Sequence, residues 1–150
     1  MNRKHFYIIA GIFILALAGC SIKKEDTKKI QDIEFTVVAP EDVPEELKED
    51  IEKAWDTPFR LTYADQGYLY MARGYGEKEK TGYSVEVNAC YETSDAIRIQ
   101  TTLLGPAKGE KTKEKKTYPY VVMKTEYREK DVILSKSNVP ARVGVFDTTL

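Results

Sequence analysis

Tyr83-Ser84-Val85-Glu86-Val87-Asn88-Ala89-Cys90-Tyr91-Glu92 is the most regular segment of the chain. Tyr83, Val85, Val87, Ala89 and Tyr91 fall on one side of it, and Ser84, Glu86, Asn88, Cys90 and Glu92 on the other. A period of two is that of a strand with one face buried and the other turned to solvent or a partner. Thr93-Ser94-Asp95 reads as a turn into a second such strand, in which Ile97, Ile99, Thr101 and Leu103 alternate with Arg98, Gln100, Thr102 and Leu104. Two adjacent strands with polar outer faces predict an antiparallel sheet.

The same reading extends in both directions. Upstream, Phe59-Arg60-Leu61-Thr62-Tyr63 and Tyr68-Leu69-Tyr70-Met71-Ala72-Arg73 flank the turn residues Asp65-Gln66-Gly67 and predict a hairpin. Downstream, Gly105-Pro106 stops the second strand. A charged loop then runs to Thr117, holding five lysines, at 108, 111, 113, 115 and 116, against Glu110 and Glu114. Its excess of positive charge reads as a solvated surface loop. Tyr118-Pro119-Tyr120-Val121-Val122-Met123-Lys124 follows as a mostly apolar strand whose early proline suits an edge or a strand start, with Asp131-Val132-Ile133-Leu134 expected beside it. Ile33-Glu34-Phe35-Thr36-Val37-Val38 is expected as the first strand.

One segment has a different period. Val43, Leu47, Ile51 and Trp55 recur at steps of four, with Ala54 beside them, and draw one apolar stripe along a charged helix over 42–55. Asp42 can cap it, Pro44 suits its first turn, and Glu45 and Glu46 favour its N-terminal dipole. Trp55 is expected to plug the core. The fold class is therefore α+β: a predominantly antiparallel sheet, or an open barrel or sandwich, with one amphipathic helix packed on it.

The N-terminus places the domain. Met1-Asn2-Arg3-Lys4-His5 is a short basic region. The apolar stretch that follows, 6–18, is too short for a membrane span of roughly twenty residues and fits the core of a signal peptide. Leu17-Ala18-Gly19-Cys20 resembles the lipobox of bacterial lipoproteins. The resemblance implies cleavage after residue 19 and lipidation of Cys20 with chains such as palmitate, each buried methylene contributing about 0.8 kcal/mol of membrane affinity. The expected organisation is a signal peptide over 1–19, a lipidated cysteine and polar tether over 20–32, the β-rich domain over 33–134, and a C-terminal tail of unassigned structure over 135–150. The expected location is the bacterial cell envelope, on the outer face of the cytoplasmic membrane or on the outer membrane.

Composition narrows the chemistry. The 150 residues carry 23 basic and 24 acidic side chains. Losing Arg3 and Lys4 with the leader leaves 21 against 24, a formal charge of −3 over 131 residues, without the basic excess of a nucleic-acid binder. The one histidine, His5, lies in the leader, and the two cysteines are Cys20 and Cys90. The mature domain so defined has no imidazole, which excludes Ser-His-Asp and Cys-His catalysis and histidine-based zinc sites. A single thiol excludes a CxxC pair and a disulfide within the domain. Cys90 falls on the polar side of its strand, where it would be an exposed thiol, whereas free cysteines are usually buried; residue type favours burial. Glu77, Glu79, Glu86 and Glu92 do not form the facing pair across a cleft that glycoside hydrolysis needs, and no DxDxDG loop is present for calcium. The chain is read as non-catalytic, with no cofactor and no metal.

Tyr75-Gly76-Glu77, Thr81-Gly82-Tyr83-Ser84-Val85-Glu86-Val87, the break at Gly105-Pro106 and Tyr118-Pro119-Tyr120-Val121-Val122-Met123-Lys124 resemble the C-terminal domain of the PrcB family, which is named for a lipoprotein subunit of a bacterial cell-surface protease complex. The resemblance covers roughly 68–134. One position departs from it: where the family shows a pair of glycines, Thr81 precedes a single Gly82. The resemblance implies a small β-rich module that associates with or stabilises a surface protease. Tyr75, Gly76, Gly82 and Tyr83, which bound the glycine-rich loop, are the candidate partner-binding residues, since tyrosine offers a large rigid ring and a polar tip. Two other readings stay open. Thr81-Gly82-Tyr83 is similar to a loop of chagasin-like protease inhibitors, and the domain could be a structural envelope spacer with no protein target.

Overall fold

The computed structural model describes residues 28–136. Cys20, the leader and the tail from 137 onward lie outside the described residues. The elements in chain order are β1 (Gln31–Asp32), β2 (Thr36–Val37), a 3-10 turn (Pro40–Asp42), α1 (Glu45–Ala54), β3 (Pro58–Asp65), β4 (Tyr68–Tyr75), β5 (Ser84–Glu92), β6 (Ala96–Leu104), β7 (Tyr120–Glu126) and β8 (Asp131–Lys136). They build two four-stranded sheets, one ordered β1-β5-β6-β8 and the other β2-β7-β4-β3. Every pairing is antiparallel except the parallel β6–β8 pair. With one helix laid on the second sheet this is an α+β sandwich.

Three layers enclose two cores. Between the sheets, Leu69 and Met71 of β4 and Val121 and Met123 of β7 meet Cys90, Ile97, Ile99 and Leu134 of the opposite sheet. On the outer side of the second sheet, Val43, Leu47 and Ile51 pack on Phe59, Tyr70, Ala72 and Val122. Strand β4 serves both cores, odd residues facing one and even residues the other, which is why its sequence runs apolar without a clean alternation. Burying a side chain such as Leu47 or Ile51 contributes about 1.5–3 kcal/mol. Gly74 is required by this packing: a Cβ there would lie 2.1 Å from a ring carbon of Phe59 on the neighbouring strand.

Four local departures from the sequence reading have physical causes. The helix begins at Glu45, not at 42. Val43 precedes a proline and is extended at ψ 131°, so Pro44 becomes the N-cap, and no side chain caps the helix. The 33–38 stretch is not one strand but a corner. Gln31–Asp32 pairs with β5 and Thr36–Val37 with β7, while Ile33 and Phe35 between them turn into the inter-sheet core. Strand β8 does not join β7, whose two edges are already occupied by β2 and β4, and takes the free edge of β6.

The fourth departure concerns the alternation of β5 beyond Asn88; Cys90 itself is buried, as its residue type favoured. The β5–β6 register shifts between Val87 and Ala89, so Asn88 is the extra residue of a β-bulge, and the residues beyond it change face. Val85 and Val87 still face the core, but Cys90, and not Ala89, continues it, at 4% exposure. The thiol is free, and burial pushes its pKa up from 9.0 to about 11. Asn88 stays outside and accepts a hydrogen bond from the Thr102 hydroxyl at 2.7 Å.

Candidate functional site

The glycine-rich loop between β4 and β5 and the lysine-rich loop between β6 and β7 emerge from the same end of the sandwich, and the sequence ties them into one lobe. Lys78 and Thr117 exchange backbone hydrogen bonds at 2.8 and 2.9 Å. Thr81 donates its N–H to the Lys113 carbonyl at 3.0 Å and accepts the Lys113 N–H on its hydroxyl at 2.9 Å. The Thr117 hydroxyl donates to the Lys80 carbonyl at 2.8 Å. Threonines at 81 and 117 thus supply the latches, and a stretch read as a free solvated loop is held in place through 113–117.

Charge and aromatic contacts fix the base of the lobe. Glu77 receives the Lys116 ammonium at 2.8 Å and the Tyr118 hydroxyl at 3.3 Å. The hydrogen bond from Lys116 holds the Glu77 carboxyl below its ordinary pKa, and the same bond raises Lys116. The Tyr118 ring stacks on Trp55 at 4.9 Å between centroids and 10° between planes. Trp55, expected as a core plug, packs half-buried against the helix-side core, and its other contact, the stack with Tyr118, anchors the lysine-rich loop to the helix.

The four residues singled out by sequence fall into different environments. Tyr75 is buried at 8% exposure, with its hydroxyl 2.7 Å from Thr101 Oγ1, so its ring is a spacer between the sheets and offers no exposed face. Gly76 is also buried, with positive φ, against Pro58 and the Asp56 carbonyl. Gly82 is exposed at the crest of the lobe with φ +98°, and a Cβ there would sit 3.0 Å from Pro106 of the other loop. Only glycine gives the chain both that turn and that approach. Tyr83 is half-buried and, with Tyr118, Tyr120 and Val37, lines an open groove of about 530 Å³ between the start of β5 in one sheet and β7 in the other. Val37 is 57% exposed there. Cys20, the expected lipidation site, lies outside the described residues.

Sequence reading passed over the residue below the lobe. Arg73 of β4, buried, places its guanidinium 4.9 Å from the Tyr75 ring centroid. It lines a recess with Lys78, Thr101 and Lys136. The available signal was a charged residue on the β4 face that otherwise carries Leu69 and Met71 inward.

Against known families, residues 69–126 match the model of the PrcB C-terminal domain. The match runs from the second residue of β4 to the last of β7, and so takes in both interlocked loops and Arg73 while leaving out the helix, β3 and β8. The chain matches no curated protein and no solved structure. The stretch that carries both interlocked loops is thus the stretch that is similar to the PrcB C-terminal domain.

Proposed function

We propose that this chain is a non-catalytic lipoprotein of the bacterial cell surface, held on the membrane through Cys20, and that it binds or stabilises a protein complex that includes a protease. The observation that carries the reading is the interlocked lobe. Its two loops are held by at least five hydrogen bonds between them, so a partner meets a preformed surface and little ordering entropy opposes binding. Tyr83, Tyr118 and Tyr120 beside it form the aromatic, half-exposed lining that interfaces favour. The PrcB match supports a protease as the companion. A domain without histidine supports an accessory role.

The test is co-purification of the tagged full-length chain from its native membranes after mild crosslinking, beside a Tyr83→Ala, Tyr120→Ala version with an unchanged thermal melt. A protease captured in active form by the first and lost from the second supports the reading. Equal capture by both places the interface elsewhere, and no capture by either defeats the subunit reading. Loss of protease activity on mixing would replace it with inhibition. A Cys20→Ala chain that still fractionates with membranes would defeat the anchor.

A further inference from the structure

We infer that the recess at Arg73 is a binding site for a small carboxylate, gripped by the Arg73 guanidinium and flanked by Lys78 and Lys136. Arg73 is 3% exposed and lies on the inward face of β4. Among the described residues no carboxylate pairs with it, and its buried Nε has no hydrogen-bond partner. Taking a cation out of water without an anion costs several kcal/mol, so such groups are almost always paired.

What does touch Arg73 leaves its donors unspent. Tyr75 offers its ring face to the guanidinium, and the bond to Thr101 prevents that ring from turning away. A cation–π contact supplies no acceptor oxygen, and the guanidinium's N–H donors form a planar fork that matches the two oxygens of a carboxylate.

The surroundings fit that ligand. The recess holds about 420 Å³, within the range of small-molecule sites, and among the described residues no acidic one lines it. Lys78 enters from the glycine-rich loop and Lys136 from the end of β8, so three cations from three elements converge on one cavity. Pro58 and Leu103 add apolar wall, which suits the carbon skeleton of an organic acid better than it suits inorganic phosphate. The same carboxylate chemistry could arrive free in solution or at the end of a polypeptide. The site stands whether or not the lobe binds a partner.

Calorimetric titration of the purified full-length chain at constant ionic strength tests this. One arm uses succinate as the free acid, and the other uses N-acetyl-trialanine with its α-carboxylate free, beside the corresponding amide. Saturable binding in either arm, with the amide inert, is the expected result, and the arm that binds names the source. Arg73→Lys, which keeps the charge but loses the fork, should weaken binding about tenfold, and Arg73→Met should abolish it. The double variant Lys78→Ala, Lys136→Ala should weaken binding several-fold without moving the thermal melt, and it decides the matter if Arg73→Met does not fold. Absence of saturable binding in both arms, or binding that survives in Arg73→Met or is unchanged in the double lysine variant, overturns the site.

Discussion

Glu92 and Arg73 stand at opposite ends of one sandwich, each about nine-tenths buried or more, and their surroundings treat the charge in opposite ways. Glu92, at the last position of β5, accepts hydrogen bonds from Gln31 at 2.6 Å and from Arg128 at 3.3 Å, and pairs with Lys130 at 2.7 Å. Lys130 also donates to the Thr93 carbonyl at 2.8 Å. One carboxylate thereby ties β1, β5 and the β7–β8 connection together. Arg73, near the other end of β4, has the Tyr75 ring against it and, among the described residues, no carboxylate partner and no hydrogen-bond partner for its Nε. A saturated buried charge is accounted for by the fold it joins. An unsaturated one points to something that arrives from outside, which is why the end of the molecule carrying the lobe is also the end to search for ligands.

The sharpest way to break this contrast is to neutralise the two charges separately and compare melts. Glu92→Gln keeps the shape but leaves Lys130 and Arg128 facing one another, and it should lower the melting temperature more than Gly82→Ala, Arg73→Met or Lys116→Ala. Acid should show the same site. Hydrogen bonds from Lys130 and Gln31 hold the Glu92 carboxyl below the ordinary 4.5. A depressed folded pKa gives stability that is present above 4.5 and lost as pH falls through the depressed value. The stability difference between the native chain and Glu92→Gln, measured by urea titration, should therefore be constant at neutral pH and shrink below about 4.5. A difference that persists at the lowest pH would mean that Glu92 acts through shape and not through charge.

At the lobe end, the next largest effect belongs to Gly82. Alanine there must adopt φ +98° and push against Pro106, at a cost of about 1–2 kcal/mol. The loss should appear in urea melts and should raise amide exchange at Thr81 and Lys113, whose mutual bonds hold the two loops together. A smaller change is expected at Arg73. Arg73→Met removes an unpaired buried cation while keeping most of its volume, so loss of the contact with Tyr75, about 0.5–2 kcal/mol, is offset by relief of desolvation. Stability should stay within about 1 kcal/mol of the native chain. A fall as large as that of Glu92→Gln would make Arg73 a structural residue and remove the contrast.

The layers of the fold were legible because they rest on local periodicity. The alternation in β5 and β6, the Gln66-Gly67 turn with both φ angles positive, and the apolar stripe at Val43, Leu47 and Ile51 each followed from neighbours within a few residues. What was not legible depended on partners distant in the chain. Asn88 makes a bulge because Val87 pairs with Thr101 and Ala89 with Gln100, a relation absent from the segment itself, and the one-residue shift decides which way Cys90 faces. The site divided in the same way. Tyr83 and Gly82 were visible as loop residues, whereas the burial of Tyr75 against Thr101 and the isolation of Arg73 arise only when β4 is laid over β6.

The smallest expected effect is at Glu77 and Lys116, and it separates local order from global stability at the lobe end. Both groups face solvent, and exposed pairs contribute little to folding, so Lys116→Ala should leave the urea midpoint unmoved. The pair nonetheless sits where the glycine-rich loop, the lysine-rich loop and Tyr118 on its Trp55 shelf converge. Without the ammonium, the Glu77 carboxyl should titrate upward toward its ordinary value, because the bond from Lys116 is the main cause of its depression. Carbon-detected titration of Glu77 reads that shift directly. If the shift occurs and the Tyr118 ring signals stay in place, the threonine latches alone hold the lobe. If the Tyr118 signals average as well, the ion pair is part of what keeps the proposed partner surface preformed, and capture of the partner should weaken although the fold does not.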